Sequence, residues 1–253
     1  MTITQAHRLF RLSLDKMDGL NYPNFRSEEI DVILNQAYNR WVKQRYSRSN
    51  PKNTGVEENQ KRMDDLKNLI KESRNYVANN LKKDNYTGMP LWTVSLASDY
   101  WFMLYEKAIL DCPNCESSSI IRITPSGNPD GIGGGSATQI TINGVWVDVL
   151  PTTHLEVNTL IKDPFNKPDR SRILRLEFDS KVELVSPTDC TLQYYIYRYL
   201  KKPTAVSLSG NITFETSDHT HEEIVMEAVK IALEGIEAKR TQTFTPLIDN
   251  TKE

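Results

Sequence analysis

Apolar residues recur along this chain with two periods, and the change from one to the other divides it. Near the N-terminus Ile3, Ala6, Phe10, Leu14 and Met17 fall at helical spacing, and Gly19 stands where a left-handed C-terminal cap belongs. A second helix is predicted from Ser27 as N-cap, with Glu28 and Glu29 in the positive end of the dipole. Ile30, Ile33, Leu34, Ala37, Tyr38, Trp41 and Val42 form its apolar stripe. A third is predicted over 56–73, carrying Met63, Leu66, Leu69 and Ile70, and the aromatic run at 98–110 reads as a shorter fourth. The period then drops toward two. Strands are predicted at 76–81, 119–124, 139–149, 172–178, 182–185 and 191–199, with Asn143-Gly144 as a hairpin turn and a Gly-rich loop at 125–136. A short helix over 153–162 ends at Asp163-Pro164.

The strand at 191–199 places Leu192, Tyr194, Ile196 and Arg198 on one face and Tyr195, Tyr197 and Tyr199 on the other. It breaks at Lys201-Lys-Pro203. A capping box, Thr220-His-Glu-Glu223, then opens a long helix to Arg240, with Ile224, Val225, Ala228, Val229, Ala232 and Ile236 on one side. The predicted fold class is α+β, with N- and C-terminal long amphipathic helices packed as a helical bundle and a β-rich, sandwich-like middle segment, not alternating βαβ units. In that division 1–110 and 220–242 form the helical core, 111–219 the β-rich part, and 243–253 an extended tail.

Composition narrows the function. The 253 residues are 38% hydrophobic and 25% charged with a net charge of -2, which fits a globular protein and removes a global electrostatic case for nucleic-acid binding. No secretory leader or membrane-length apolar run is read. Three cysteines point to synthesis in a reducing compartment and away from a disulfide framework.

Candidate chemistry is sparse. Cys112-Pro-Asn-Cys115 has the spacing of half a zinc or thiol-exchange site but no second pair, and supports only an alternative reading as a metal- or nucleic-acid-binding accessory protein. His219-Thr-His221 lies at a helix start among acidic residues with capping roles. The adjacent acids Asp64-Asp65 and Glu222-Glu223 diverge around their helices and read as solvated faces. The loop Gly131-Ile-Gly-Gly-Gly135 lacks the Gly-Lys-Ser/Thr of a phosphate cradle. Two basic edges remain, Arg40, Lys43, Arg45 and Arg48 near Tyr46, and Arg198 with Lys201 and Lys202. No catalytic residue, metal ligand or cofactor is expected.

Five segments in order carry a resemblance: Ser27-Glu-Glu-Ile-Asp-Val-Ile-Leu-Asn-Gln-Ala-Tyr-Asn-Arg-Trp-Val-Lys-Gln-Arg45, Asn59-Gln-Lys-Arg-Met-Asp-Asp-Leu66, Lys162-Asp-Pro-Phe-Asn-Lys-Pro168, Leu192-Gln-Tyr-Tyr-Ile-Tyr-Arg-Tyr-Leu-Lys-Lys-Pro203, and His221-Glu-Glu-Ile-Val225 through Arg240-Thr-Gln242. Together they resemble the ring-forming head-to-tail connector proteins of short-tailed phages, especially the crAss-like group. The resemblance implies a non-enzymatic virion adaptor, made in the host cytoplasm. It would stand in a ring of roughly twelve copies against the portal or an adjacent tail ring, with packaged DNA passing through. It makes Arg198, Lys201 and Lys202 DNA-channel candidates. The tail, through Arg240, Phe244, Pro246, Leu247 and Ile248, becomes a docking segment for a neighbour.

Overall fold

The computed structural model describes residues 1–18, 25–47, 60–77, 81–83, 88–113, 118–123 and 138–235. The elements run α1 (Ile3–Asp18), α2 (Ser27–Tyr46), α3 (Gln60–Leu66), β1 (Ile70–Tyr76), β2 (Leu81–Lys83), β3 (Pro90–Ser95), β4 (Tyr100–Asp111), β5 (Ser118–Ile123), β6 (Thr138–Asn143), β7 (Val145–Pro151), α4 (Val157–Lys162), β8 (Arg172–Phe178), β9 (Lys181–Val185), β10 (Thr191–Lys201) and α5 (His221–Gly235). They fall into two compact units, Met1–Ile70 with Lys202–Glu253, and Lys71–Lys201.

This overturns the predicted fold class. The chain is mixed α/β with short to medium helices, and its dominant element is a single eight-stranded sheet, not a long helical bundle with a sandwich inserted. The aromatic run predicted as a helix is strand β4, which pairs antiparallel with β10 from Thr191↔Asp111 to Lys201↔Tyr100. Aromatic side chains suit a pleated, half-buried surface, and a long neighbouring strand decides the ambiguity that periodicity leaves open. The third predicted helix is likewise cut short: α3 and one 3-10 turn end at Leu69, and β1 begins at Ile70.

In the first unit α5 packs against α1 and α2. Ile3, Ala6, Phe10 and Leu14 of α1 are buried, as are Ile30, Leu34, Ala37, Tyr38, Trp41 and Val42 of α2 and Ile224, Val225, Ala228, Val229, Ala232 and Leu233 of α5. Arg26, not Ser27, is the N-cap of α2, where its N–H donates to Glu29 Oε2 at 2.9 Å. No capping box opens α5. A 3-10 turn at Asp218–Thr220 precedes it, and Thr220 Oγ1 bonds Thr216 Oγ1 and the Ser217 carbonyl instead. The irregular segment leading to that turn is held by side chains of α2. Asn35 donates to the Val206 carbonyl and accepts from the Val206 N–H (2.9 and 2.8 Å), Asp31 accepts from Leu208 N–H, and the Tyr38 hydroxyl accepts from Glu215 N–H. Its backbone groups thus find partners without regular structure.

In the second unit the strand order is β1-β10-β4-β7-β8-β9-β3-β2. The sheet curls on itself, so that Trp92 and Val94 of β3, Val182 and Leu184 of β9, Val147 of β7, Ala108 and Leu110 of β4, and Tyr195, Tyr197 and Tyr199 of β10 share one buried cluster. The Tyr197 hydroxyl accepts from Ala97 N–H at 3.0 Å, and Trp92 Nε1 donates to Ser186 Oγ at 2.9 Å. A register shift between Leu192 and Tyr194 turns Leu192 to the face of the three tyrosines, opposite to strict alternation.

Two further expectations fail here. Asn143-Gly144 is no hairpin turn: β6 pairs with β5 in a separate two-stranded ribbon, while β7 pairs with β4 and β8. Gly144 (φ +140°) carries the chain from ribbon to sheet so close to the Leu110 carbonyl that a Cβ would collide with it. And β7 and β8 run parallel, joined across α4, so the chain does contain one βαβ crossover.

Candidate subunit interface

The β7–α4–β8 crossover places apolar side chains in water while its polar ones fix the backbone. Thr152 N–H bonds the Arg175 carbonyl, and Thr153 opens the turn into α4 by accepting from Glu156 N–H with its hydroxyl and from Val157 N–H with its carbonyl. Val157, with Leu160 and Ile161 behind it, packs on Leu91, Leu174, Leu176 and Val185 of the sheet face opposite the tyrosines. At the far end Asp163 accepts from Phe165 N–H at 2.9 Å and from the Asn166 amide at 2.6 Å, and its carbonyl accepts from Lys167 N–H. The Phe165 N–H, then the Asn166 amide, hold the Asp163 carboxyl below its ordinary range. Asp169 does the same for the return into β8, accepting from Ser171 N–H, Ser171 Oγ and Arg172 N–H.

Those turns fix where three large apolar groups stand. Leu155, before α4, is 91% exposed; Phe165, after it, is 82% exposed; and Phe178, at the end of β8, is 61% exposed. Phe178 lies edge-on to His154 (6.4 Å), whose Nε2–H donates to the Glu177 carbonyl at 3.1 Å. Asp179 takes the left-handed conformation (φ 55°) that lets the chain reverse just beyond Phe178. Covering such side chains is worth about 1.5–3 kcal/mol each. Sequence reasoning missed these residues. The available signal was a Phe between Pro164 and Asn166, with no periodic apolar partner, in a segment otherwise polar.

The sequence-predicted sites scatter. Arg198 projects from β10 with its Nε donating to Glu72 Oε2 at 2.8 Å and its guanidinium 5.8 Å from the Tyr105 ring centre, so its charge is already opposed. Partial burial pushes the Glu72 carboxyl up, but hydrogen bonds from Arg198 and Arg74 bring it below its ordinary value. Lys201 ends β10 and Lys202 follows it, exposed. Arg240, Phe244, Pro246, Leu247 and Ile248 lie outside the described residues, as do Arg48, Cys115 and the Gly-rich loop.

Several chemical expectations are corrected. Cys112 is disulfide-bonded to Cys190 across a separation of 78 residues, because both stand one residue beyond the Thr191↔Asp111 pair of adjacent strands. This removes the free Cys112 thiolate that a metal reading with Cys115 requires. Asp65 is not on a solvated face: it is fully buried, paired with Arg45 at 3.2 Å and accepting from His219 Nε2 at 2.8 Å. Arg45, taken as part of a basic edge, is buried over the Trp41 ring and also bonds Glu223. Arg40 meets Glu227 and Glu234. His219 and His221 part company, since His221 is buried against the Thr216 carbonyl. Among the described residues no group of His, Cys, Asp or Glu is arranged to hold a metal, and no helix is long and apolar enough to cross a membrane.

No curated protein matches the chain. Residues 136–243, which include β6 through α5 and therefore the whole crossover, match the model of the phage tail ring protein 3/4 family, and the match supports a phage tail ring protein, a structural component of the virion.

Proposed function

We propose that this chain is a non-enzymatic subunit of a ring in the head-to-tail connector of a short-tailed phage. The family match over 136–243 carries this reading. Roughly twelve copies would close the ring, each offering two different surfaces to its neighbours, because a closed ring joins unlike patches. The ring would sit against the portal or a neighbouring tail ring, with packaged DNA passing through it without sequence readout. Arg198, Lys201 and Lys202 are the channel-lining candidates, with the Arg198 charge opposed by Glu72.

The tail after Arg240 would dock onto an adjoining subunit through Phe244, Pro246, Leu247 and Ile248. Deleting 243–253 should leave a folded chain, by circular dichroism and thermal melting, that no longer enters assembled tails. Normal incorporation of the truncated chain would refute the docking role.

A further inference from the structure

The sheet face opposite the tyrosines is finished unequally. Over β8, β9 and β3 it lies under α4, whose Val157, Leu160 and Ile161 pack on Leu91, Leu174, Leu176 and Val185. Over β10, β4 and β7 large side chains reach water: Tyr105 is 42% exposed, Trp146 41% and Leu150 40%. Register joins them into one surface. Arg198↔Tyr105, Ile196↔Lys107↔Asp148 and Tyr194↔Ile109↔Trp146 are successive rows of directly opposed residues, and opposed residues share a face. Contacts along the rows agree. The Arg198 guanidinium, at the border, stands 5.8 Å from the Tyr105 ring centre, Lys107 Nζ lies 3.9 Å from Asp148 Oδ1, and Ile109, Tyr194 and Ile196 form one cluster. Leu150, two residues past Asp148, pairs with Leu174, so the surface runs up to the part that α4 covers.

We infer that this surface seats the next copy of the chain in the ring. The inference rests on the ring reading above and deepens it by naming a face through which subunits meet. Charge argues against DNA as the occupant, because within the border the face carries one cation, Lys107, and one anion, Asp148, and phosphates would meet no net charge there. Composition argues for protein: Tyr and Trp are enriched where proteins meet and supply much of the binding energy. The area is of the right order. The exposed parts of Tyr105, Trp146, Leu150, Lys107 and Asp148 amount to roughly 500 Å², over half of one partner's share in a standard interface. A second copy is the occupant because a ring surrounds each subunit with its own kind, and its closure needs a contact face on every copy. Paired strands hold the face rigid, so docking loses little ordering free energy.

A photoreactive benzoylphenylalanine in place of Tyr105 of the full-length chain tests this, because a part-exposed ring tolerates a larger one. Oligomers assembled from equal parts of ¹⁴N- and ¹⁵N-labelled chains, with portal and tail proteins where assembly needs them, are irradiated, digested and sequenced by mass spectrometry. The expected product is a mixed-isotope cross-link from position 105 to a peptide of a second copy. Cross-links confined to one isotope or to a different tail protein, or none at all, would overturn the docking assignment while leaving the ring intact. A chain that stays monomeric alone and within tails would overturn the ring reading, and the inference with it. As a second measurement, Tyr105→Asp with Leu150→Asp should weaken self-association by about tenfold or more with the melting temperature unchanged. Unchanged association would contradict the inference, and so would early melting, which would assign both side chains to the subunit's own core.

Discussion

The two units divide their polar and apolar residues in different proportions. The unit built on α1, α2 and α5 buries charge: Asp65 sits at 0% exposure between Arg45 and His219, and Glu227, equally buried, meets Arg40. The sheet unit buries one ion pair, Arg175 with Glu106, beside a largely aromatic and aliphatic interior. The helical unit therefore leans more on buried ion pairs to fix its packing. The sheet unit carries the three most exposed large apolar side chains among the described residues, Leu155, Phe165 and Phe178.

Five variants break or sharpen that contrast. The largest effect should come from Asp65→Ala, which strands the buried Arg45 guanidinium; chemical denaturation should show a loss of about 3–5 kcal/mol, and a loss under about 1 kcal/mol would deny the ion pair its structural role. Cys190→Ser should cost the sheet unit about 2–4 kcal/mol, matched by reducing the native protein and absent when the variant itself is reduced.

Proton linkage should run in opposite directions in the two units. Burial holds the His221 imidazole below its ordinary value, with the Met1 ammonium adding to the effect and the Thr216 carbonyl and Asp218 opposing it. Its contribution is thus present above the ordinary histidine range and lost as the pH falls through it. Burial pushes the Glu106 carboxyl up, against Arg175 and the Tyr195 hydroxyl, so its contribution is present at acid pH and lost as the pH rises. Hydrogen exchange resolved by unit between pH 4 and pH 8 should lose the first slope in His221→Gln and the second in Glu106→Gln; slopes untouched by these variants would contradict the assignment.

The smallest effect on folding should come from Leu155→Asp with Phe165→Asp. Stability should move by less than about 0.5 kcal/mol, while incorporation into tails is lost. If these variants unfold the protein, the exposed groups belong to its own core and the contrast fails.

What was legible in the sequence follows the range of the interactions. The stripe of α2 and the alternation in β8 to β10 are local and read directly. The identity of β4 was not, because its aromatic residues satisfy either period until β10 and β7 lie beside it. Leu192 changed faces through a single irregularity near Gln193, which no alternation rule reports. The partners of Arg45 lie on α3 and α5, so its spacing within α2 suggested only a solvent-facing basic edge. The crossover surface was legible only as an order of segments, since nothing in Lys162-Asp-Pro-Phe-Asn-Lys-Pro168 says that Asp163 anchors the turn that displays Phe165.

Native mass spectrometry of the full-length chain, alone and mixed with the portal and tail proteins of its phage, tests the ring most directly. A closed complex of roughly twelve copies, in either condition, is the expected result. A chain that remains monomeric in every mixture would contradict it.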